Sequence, residues 1–230
     1  MPFLTPLEAE AFGLSLRIGA WSAALSLPPA LLVAWVLARG RFRGRTLLSA
    51  IVHLPLVLPP VVTGYALLLL FGRHGPVGAW LESWFGIVVA FRWTGAAIAA
   101  AVMGLPLMVR AIKLSLDAIE PGLEQAAAGL GAPRSAVFAT ITLPLALPGV
   151  LVGALLGFAK SLGEFGATIT FVSNIPGETQ TLPIAIYSLL QVPGSDAAVL
   201  RLVALSVVVS LGGVFAAELV AARLRRRIAS

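Results

Sequence analysis

Long apolar runs, stopped by short intervals of charge, proline or glycine, set the pattern of this chain. A helix that crosses a bilayer needs about 20 mostly apolar residues, and five segments meet that length: roughly 12–38, 47–71, 87–109, 145–162 and 197–222. The pattern predicts an all-α, polytopic membrane bundle of five transmembrane helices. Residues 182–192, "LPIAIYSLLQV", are also apolar but too short to cross, and they contain Pro183. They read as a short outer-surface or re-entrant helix.

Three local patterns refine the spans. The second holds "LPLVLPPVVTG", where Pro55, Pro59 and Pro60 each remove a backbone donor, so a kink is expected there. The fourth repeats Gly149, Gly153 and Gly157 at helical spacing, a flat stripe on which another helix can approach closely. Just beyond it, Lys160 and Glu164 are spaced to pair on one helix face. Ionisable residues at membrane depth are functional candidates.

One interval is far longer than a turn. In "EQAAAGLGAPRSAVFATITLPLALPG", residues 124–149, Leu123, Ala127 and Leu130 align on a short helix that Gly131 can end in the left-handed conformation. Pro133 can open a second short helix, carrying Val137, Phe138 and Ile141 on one side, before Pro144 turns the chain into the fourth span. The expected result is an elbow of two short helices, its second half buried on the spans and its alanine-rich first half free to enter a partner's groove.

Charge decides which side the elbow faces. Arg39, Arg41, Arg43 and Arg45 follow the first run, and Arg223, Arg225, Arg226 and Arg227 follow the fifth. The positive-inside rule assigns both clusters to the cytoplasm. Five spans then place the N-terminus outside, the loop around 73–85 outside, residues 110–144 inside and the C-terminus inside. The other basic residues, Arg17, Arg73, Arg92, Lys160 and Arg201, fall at or near the outer ends of spans, where long side chains can snorkel.

Composition agrees with a membrane chain: 59% hydrophobic and 11% charged residues, with a mean hydropathy of +0.98. The net charge of +6 is read as topology, because no nucleic-acid motif accompanies it. Acidic Glu8 and Glu10 precede the first run, which is too long for a secretory h-region, so it is expected to stay in the mature protein. There are no cysteines, and His53 and His74 show no metal-ligand spacing, so no metal site is expected. Catalytic residues are expected to be absent as well: no GxSxG nucleophile motif occurs and the carboxylates are scattered. The chain also lacks the GxxxxGK[ST] phosphate loop that ATP hydrolysis would need. An ion-coupled secondary transporter or a membrane-embedded enzyme are the alternative classes. The former usually shows internal repeats and buried ionisable relays.

The elbow also carries a family pattern. E-A-A-x3-G-x9-I-x-L-P marks the permease subunits of binding-protein-dependent ABC importers, and this chain resembles them through Gln125, Ala126, Ala127, Gly131, Ile141, Leu143 and Pro144 at every spacing. Gln125 stands where the pattern has glutamate, with Glu124 one residue earlier. The stretches "HLPLVLPPVVTGY", "AAAVMGLPLMVRAIKLSL" and "KSLGEFGATITFVSNIPGETQTLP" extend the resemblance over nearly the whole chain, toward bacterial molybdate permeases. The resemblance implies a type I ABC importer permease fold in one domain, 1–230, with a cytoplasmic coupling segment at about 111–144. It implies a multi-pass protein of the bacterial inner membrane that translocates molybdate, or another tetrahedral oxyanion such as tungstate or sulfate, by alternating access. The implied partners are a second copy of the chain, two cytoplasmic ATPase subunits that hold the ATP and Mg, a periplasmic molybdate-binding protein and the lipid bilayer, with no nucleic acid and no cofactor in this chain. Residues implied in ATPase coupling are Glu124, Gln125, Ala126, Ala127, Leu130, Gly131 and Arg134. Pathway or gate candidates are Lys160, Ser161, Glu164, Thr168 and Thr170, and Glu178 is a candidate for docking the binding protein.

Overall fold

A computed structural model describes residues 4–228. The first apolar run forms α1, Pro6–Arg39. It starts earlier than the pattern predicts because Thr5 and Glu8 close a capping box, the Glu8 amide donating to Thr5 Oγ1 at 3.3 Å and the Thr5 amide to Glu8 Oε2 at 2.7 Å. A stripe of small residues, Ser15, Gly19, Ser22, Ser26, Ala30 and Ala34, is buried along it. The buried serines satisfy themselves on the helix: Ser22 Oγ donates to Gly19 O at 2.9 Å and Ser26 Oγ to Ser22 O at 2.5 Å.

The second run is broken, where the pattern predicts one kinked span. It forms α2, Arg45–Val57, and α3, Pro60–Phe71, bent by 111°. Pro59 and Pro60 remove two successive donors, and Leu58 and Pro59 stand extended with ψ of 145° and 131°, so the helical ladder cannot continue through them. After a short surface helix, α4 (Pro76–Phe85), closed by Gly86 in the left-handed conformation, comes α5, Trp93–Asp117. The pattern predicts this span at 87–109. Its start is displaced because residues 87–92 form no helix, and its end is displaced because a Lys113–Asp117 ion pair supports the helix beyond the apolar stretch.

The elbow begins with α6, Pro121–Gly129. Its second half is not a separate short helix. α7 (Arg134–Val137), a π-helical turn (Phe138–Thr142) and α8 (Leu143–Leu162) run on as one rod over residues 134–162. Pro144 therefore does not turn the chain. The π turn, with the Leu143 amide donating to Phe138 O, absorbs the donor that Pro144 lacks. The rod stops at Leu162, and α9 (Gly166–Val172) follows after a break. Then come α10 (Leu182–Leu189), the short helix expected there, and α11 (Asp196–Ile228). The backbone of α11 carries Arg223 and Arg225–Arg227, but the side chains of the last three lie outside the described residues.

The described residues are helical with no strand, and four helices are long and apolar enough to cross a membrane: α1, α5, the 134–162 rod and α11. The count becomes five if α2 and α3 are taken as one broken span. α5 is the centre of the fold, with α1 and α8 packed along it, α11 on α8, and α3 and α9 on its N-terminal half. The glycine stripe makes the α5–α8 contact: a Cβ on Gly149 would overlap Ser115, one on Gly153 would lie 3.2 Å from Ile112 Cγ1, and one on Gly157 would lie 2.5 Å from Met108 Sδ. At the start of α1, Glu8 Oε1 takes Arg201 Nη2 of α11 at 2.8 Å, and the Leu182 amide that opens α10 donates to Ser15 Oγ at 2.7 Å.

These contacts rank the glycines. Gly149→Ala is expected to cost about 1–3 kcal/mol of stability, because Ser115 Cβ and the α5 backbone cannot yield. Gly157→Ala should cost less, since it meets the flexible end of Met108, and Gly13→Ala, which meets nothing within 4 Å, should be neutral or stabilising. Thermal unfolding of the detergent-solubilised protein, followed by tryptophan fluorescence, checks the order.

Candidate functional site

The alanine-rich helix α6 is held out from the core by its caps. Gly131 has φ +89°, the Gly131 amide donates to Ala128 O at 3.0 Å and the Ala132 amide to Ala127 O at 3.1 Å, a Schellman closure. Pro133 then caps α7. No α6 side chain is fully buried: Gln125 and Ala126 are exposed, Ala127 is half-buried, and Leu130 beside Gly131 is 90% exposed. Leu130 and the alanines thus leave this face of α6 small, apolar and uncovered.

Glu124 is turned the other way. Its carboxylate takes Arg39 at the end of α1, Nε at 2.9 Å on Oε2 and Nη2 at 3.2 Å on Oε1, and Thr142 Oγ1 of the π turn donates to Oε1 at 2.7 Å. One carboxylate thus ties the elbow to the ends of two long helices. Of the two residues at the head of the family pattern, Gln125 faces outward and Glu124 faces this clamp. The sequence shows no sign of the partners, because Arg39 reads there only as part of a basic cluster. The elbow's second half packs as expected: Val137 is buried and Phe138 meets Trp35 edge-on at 6.0 Å between ring centroids. Exposed Arg134 borders an apolar groove of about 440 Å³ between α1 and the π turn, lined also by Leu31, Leu32 and Trp35.

The second candidate group lies at the break between α8 and α9. Lys160 Nζ and Glu164 Oε2 are 2.6 Å apart, and the Ala167 amide donates to Glu164 Oε1 at 3.1 Å, so the carboxylate also caps α9. The pair closes across the helix end, not along one helix as the spacing suggests. Lys160 was also expected near an outer end. α8 stops two residues beyond it, at Leu162, and α9 continues the chain after the break. Ser161 and Thr170 bond their own helices, Ser161 Oγ donating to Phe158 O at 2.6 Å and Thr170 Oγ1 to Gly166 O at 2.8 Å, while Thr168 is buried. Near the start of α5, half-buried Glu178 accepts from the Trp93 amide at 3.4 Å, and the Arg17 guanidinium stacks 3.8 Å from the Trp93 ring centroid. The sequence left both contacts hidden. Among the described residues, no group of three His, Asp or Glu side chains could hold a metal ion.

Comparison with known proteins places these features in context. The family model described as "Binding-protein-dependent transport system inner membrane component" matches residues 30–226. The chain is 52% identical over 222 residues to the molybdenum transport system permease protein ModB of Haemophilus influenzae, covering 96% of this chain and 97% of the relative. It is 53% identical over 224 residues to ModB of Escherichia coli K12, covering 97% and 98%. In fold it is similar to a chain of a bacterial alginate ABC transporter crystallised in complex with an alginate pentasaccharide-bound periplasmic protein, with TM-score 0.72 and 21% identity, covering 98% of this chain and 81% of that one.

If the Glu124 clamp holds the elbow, Glu124→Ala and Arg39→Ala should each speed amide hydrogen exchange over residues 121–131. The double variant should go no further than the worse single one, with a coupling energy of about 1 kcal/mol. Exchange mass spectrometry of the purified protein reads this out.

Proposed function

The chain belongs to the family of binding-protein-dependent transport system inner membrane components, and we propose that it is the permease subunit of an ATP-driven importer that moves molybdate across the bacterial inner membrane. The observation that carries the substrate is full-length similarity, at 52% and 53% identity, to two molybdenum permeases. A multi-pass membrane protein is what its long apolar helices make.

In this reading the chain hydrolyses nothing itself. Two separate ATPase subunits hold ATP and Mg, a periplasmic binding protein delivers the oxyanion, and a second copy of the chain supplies the other wall of the pathway. The orientation follows from charge: Arg39, Arg41, Arg43, Arg45 and Arg223 gather at the end that carries the elbow, which puts this end and the C-terminus in the cytoplasm and the N-terminus outside. The coupling segment, about 111–144, then faces the ATPases, and Glu178 lies at the outer end.

The geometry supplies a transmission. Leu130, Gln125, Ala126 and Ala127 form the surface that an ATPase groove would hold, with Gly131 setting its angle and Arg134 at its border. When the ATPases close, a pull on α6 passes through the Arg39–Glu124–Thr142 clamp into α1 and α8 together. Both are locked to α5 by small residues, so the three move as one body. The breaks at Leu58–Pro59 and at residues 163–165 are the places where the rest can bend.

The reading is tested by reconstituting permease, ATPase and binding protein in proteoliposomes. ATP-dependent uptake of labelled molybdate is expected from the complete set and none from the permease alone, and competition by tungstate and sulfate sets the selectivity. Uptake by the permease alone would falsify it. In the same system Leu130→Glu should weaken co-purification of the ATPase by about tenfold or more, since it places a charge in an apolar contact. Gly131→Val should keep the ATPase bound but lower uptake per ATP, because φ of +89° strains a β-branched residue. Full coupling in both variants would remove α6 from the interface.

A further inference from the structure

Two breaks meet in this fold, and an ion pair adjoins the second of them. Gly166, at the start of α9, sits on Pro60, at the start of α3, so closely that a Cβ added to it would be 2.7 Å from Pro60 Cβ. Glu164 lies within the α8–α9 break. The other ion pairs among the described residues, Arg39–Glu124, Arg73–Glu82, Lys113–Asp117 and Arg201–Glu8, lie at helix ends or on the surface helix α4.

The depth of Lys160 follows from its neighbours. Gly157, one turn earlier, packs on Gly104 and Met108 of α5, and Ala159 packs on Gly213 of α11. Lys160 therefore stands between the arginines that bound the apolar stretch of each helix, Arg92 at the cap of α5 and Arg110 within it, Arg201 and Arg223 on α11. At 1.5 Å per residue each is about 10–18 Å away along the axis. Snorkelling does not bridge such a distance at both ends.

The two partners differ in burial. Glu164 is 3% exposed and doubly held, by Lys160 and by the Ala167 amide, whereas the Lys160 side chain is 30% exposed. An ammonium has three donors, and Glu164 is its one hydrogen-bond partner among the described residues. A cation at this depth with donors to spare is stable against a polar passage and costly against lipid. On α3, which meets α9 through Pro60 and Gly64, buried Thr63 Oγ1 has no partner among the described residues.

We propose that Lys160 is the resting point of the oxyanion within the permease and that Glu164 is its displaceable counter-ion. This rests on the transport reading above. A tetrahedral dianion arriving at Lys160 takes the donors that Glu164 leaves open and then the one it holds. Glu164 keeps the Ala167 amide meanwhile, so its charge is not stranded. When the dianion moves on, Glu164 recaptures the ammonium. A bare lysine would hold a dianion too tightly in a low-dielectric site, and passage requires a site that can be left.

The test uses the complete transporter in proteoliposomes with labelled molybdate. Absence of wild-type uptake would sink the transport reading, whereas wild-type uptake with indifferent variants sinks only this assignment. Lys160→Met, and the exchanged pair Lys160→Glu with Glu164→Lys, are each expected to lower uptake by about tenfold or more, while Lys160→Arg keeps most of it. The exchanged pair is decisive: it restores the ion pair but moves the cation, so wild-type uptake from it overturns the proposal. If those variants fail to assemble with the ATPase, Lys160→Cys carries the test in a chain with no native cysteine. A cationic, water-soluble thiol reagent should label it in the assembled complex, and aminoethylation with 2-bromoethylamine, which restores an ammonium at lysine length through a thioether, should recover uptake. An unreactive thiol there would place the side chain in lipid and overturn the proposal.

Discussion

The close approach of α8 to α5 is the contact on which the other arrangements rest. Gly149, Gly153 and Gly157 leave no side chain between the two backbones, and Ser115, Ile112 and Met108 fill the space a Cβ would take. Between helices in lipid there is little hydrophobic drive, because the acyl chains are as apolar as the side chains, so tight van der Waals contact has to supply the cohesion. α1 repeats the device with its own stripe of serine, glycine and alanine. Three long helices thereby make a body whose parts cannot slide singly without opening voids.

The proposed transport cycle requires a handle and joints, and the chain has a candidate for each in distinct chemistry. The proposed handle is α6, whose exposed leucine and alanines face away while Glu124 reaches back to Arg39 and Thr142. A partly exposed ion pair contributes little by itself. Its value here is geometric, because a carboxylate held by a two-pronged guanidinium and a hydroxyl fixes direction as well as distance. The joints are the places where helical hydrogen bonding fails, at the paired prolines and at the Gly163–Phe165 break. In the proposed cycle, force applied to α6 reaches α1 and α8 before it reaches either break.

Much of this was legible in the residues. The first, fourth and fifth apolar runs became helices that cover them, the short helix at 182–189 formed where a crossing was excluded, and Gly131 adopts the left-handed turn that ends α6. The glycine stripe announced a close packing, though not its partner. What escaped has a common cause: apolar periodicity reports burial and length, not continuity. It could not show that two prolines would break the second run where one kinks it, nor that Pro144 would be carried through by a π turn. It could not set the start of α5, since residues 87–92 are as apolar as a helix needs. The inward face of Glu124 was equally hidden, because Arg39 and Thr142 come from distant parts of the chain. The break after Leu162 was hidden for a related reason: the run 145–162 is long enough to cross a bilayer by itself, and its periodicity does not show that α9 follows.

The break beside Lys160 also explains why a carboxylate can be buried there at all. Ending α8 at Leu162 and restarting at Gly166 leaves amides without helical partners, and in a lipid environment each must be satisfied by protein. The Glu164 amide finds Ser161 O at 3.2 Å, the Ile169 amide finds Phe165 O at 2.8 Å, and the Ala167 amide takes the Glu164 carboxylate itself. The acidic side chain is thus required by the backbone as a cap, whatever it does for Lys160. Capping fixes where its charge sits, and that position in turn calls for a cation one helical turn back, because an unpaired buried carboxylate is far more costly than a paired one. The helix break therefore leads, through ordinary hydrogen-bond satisfaction, to a lysine paired with a buried carboxylate one helical turn on.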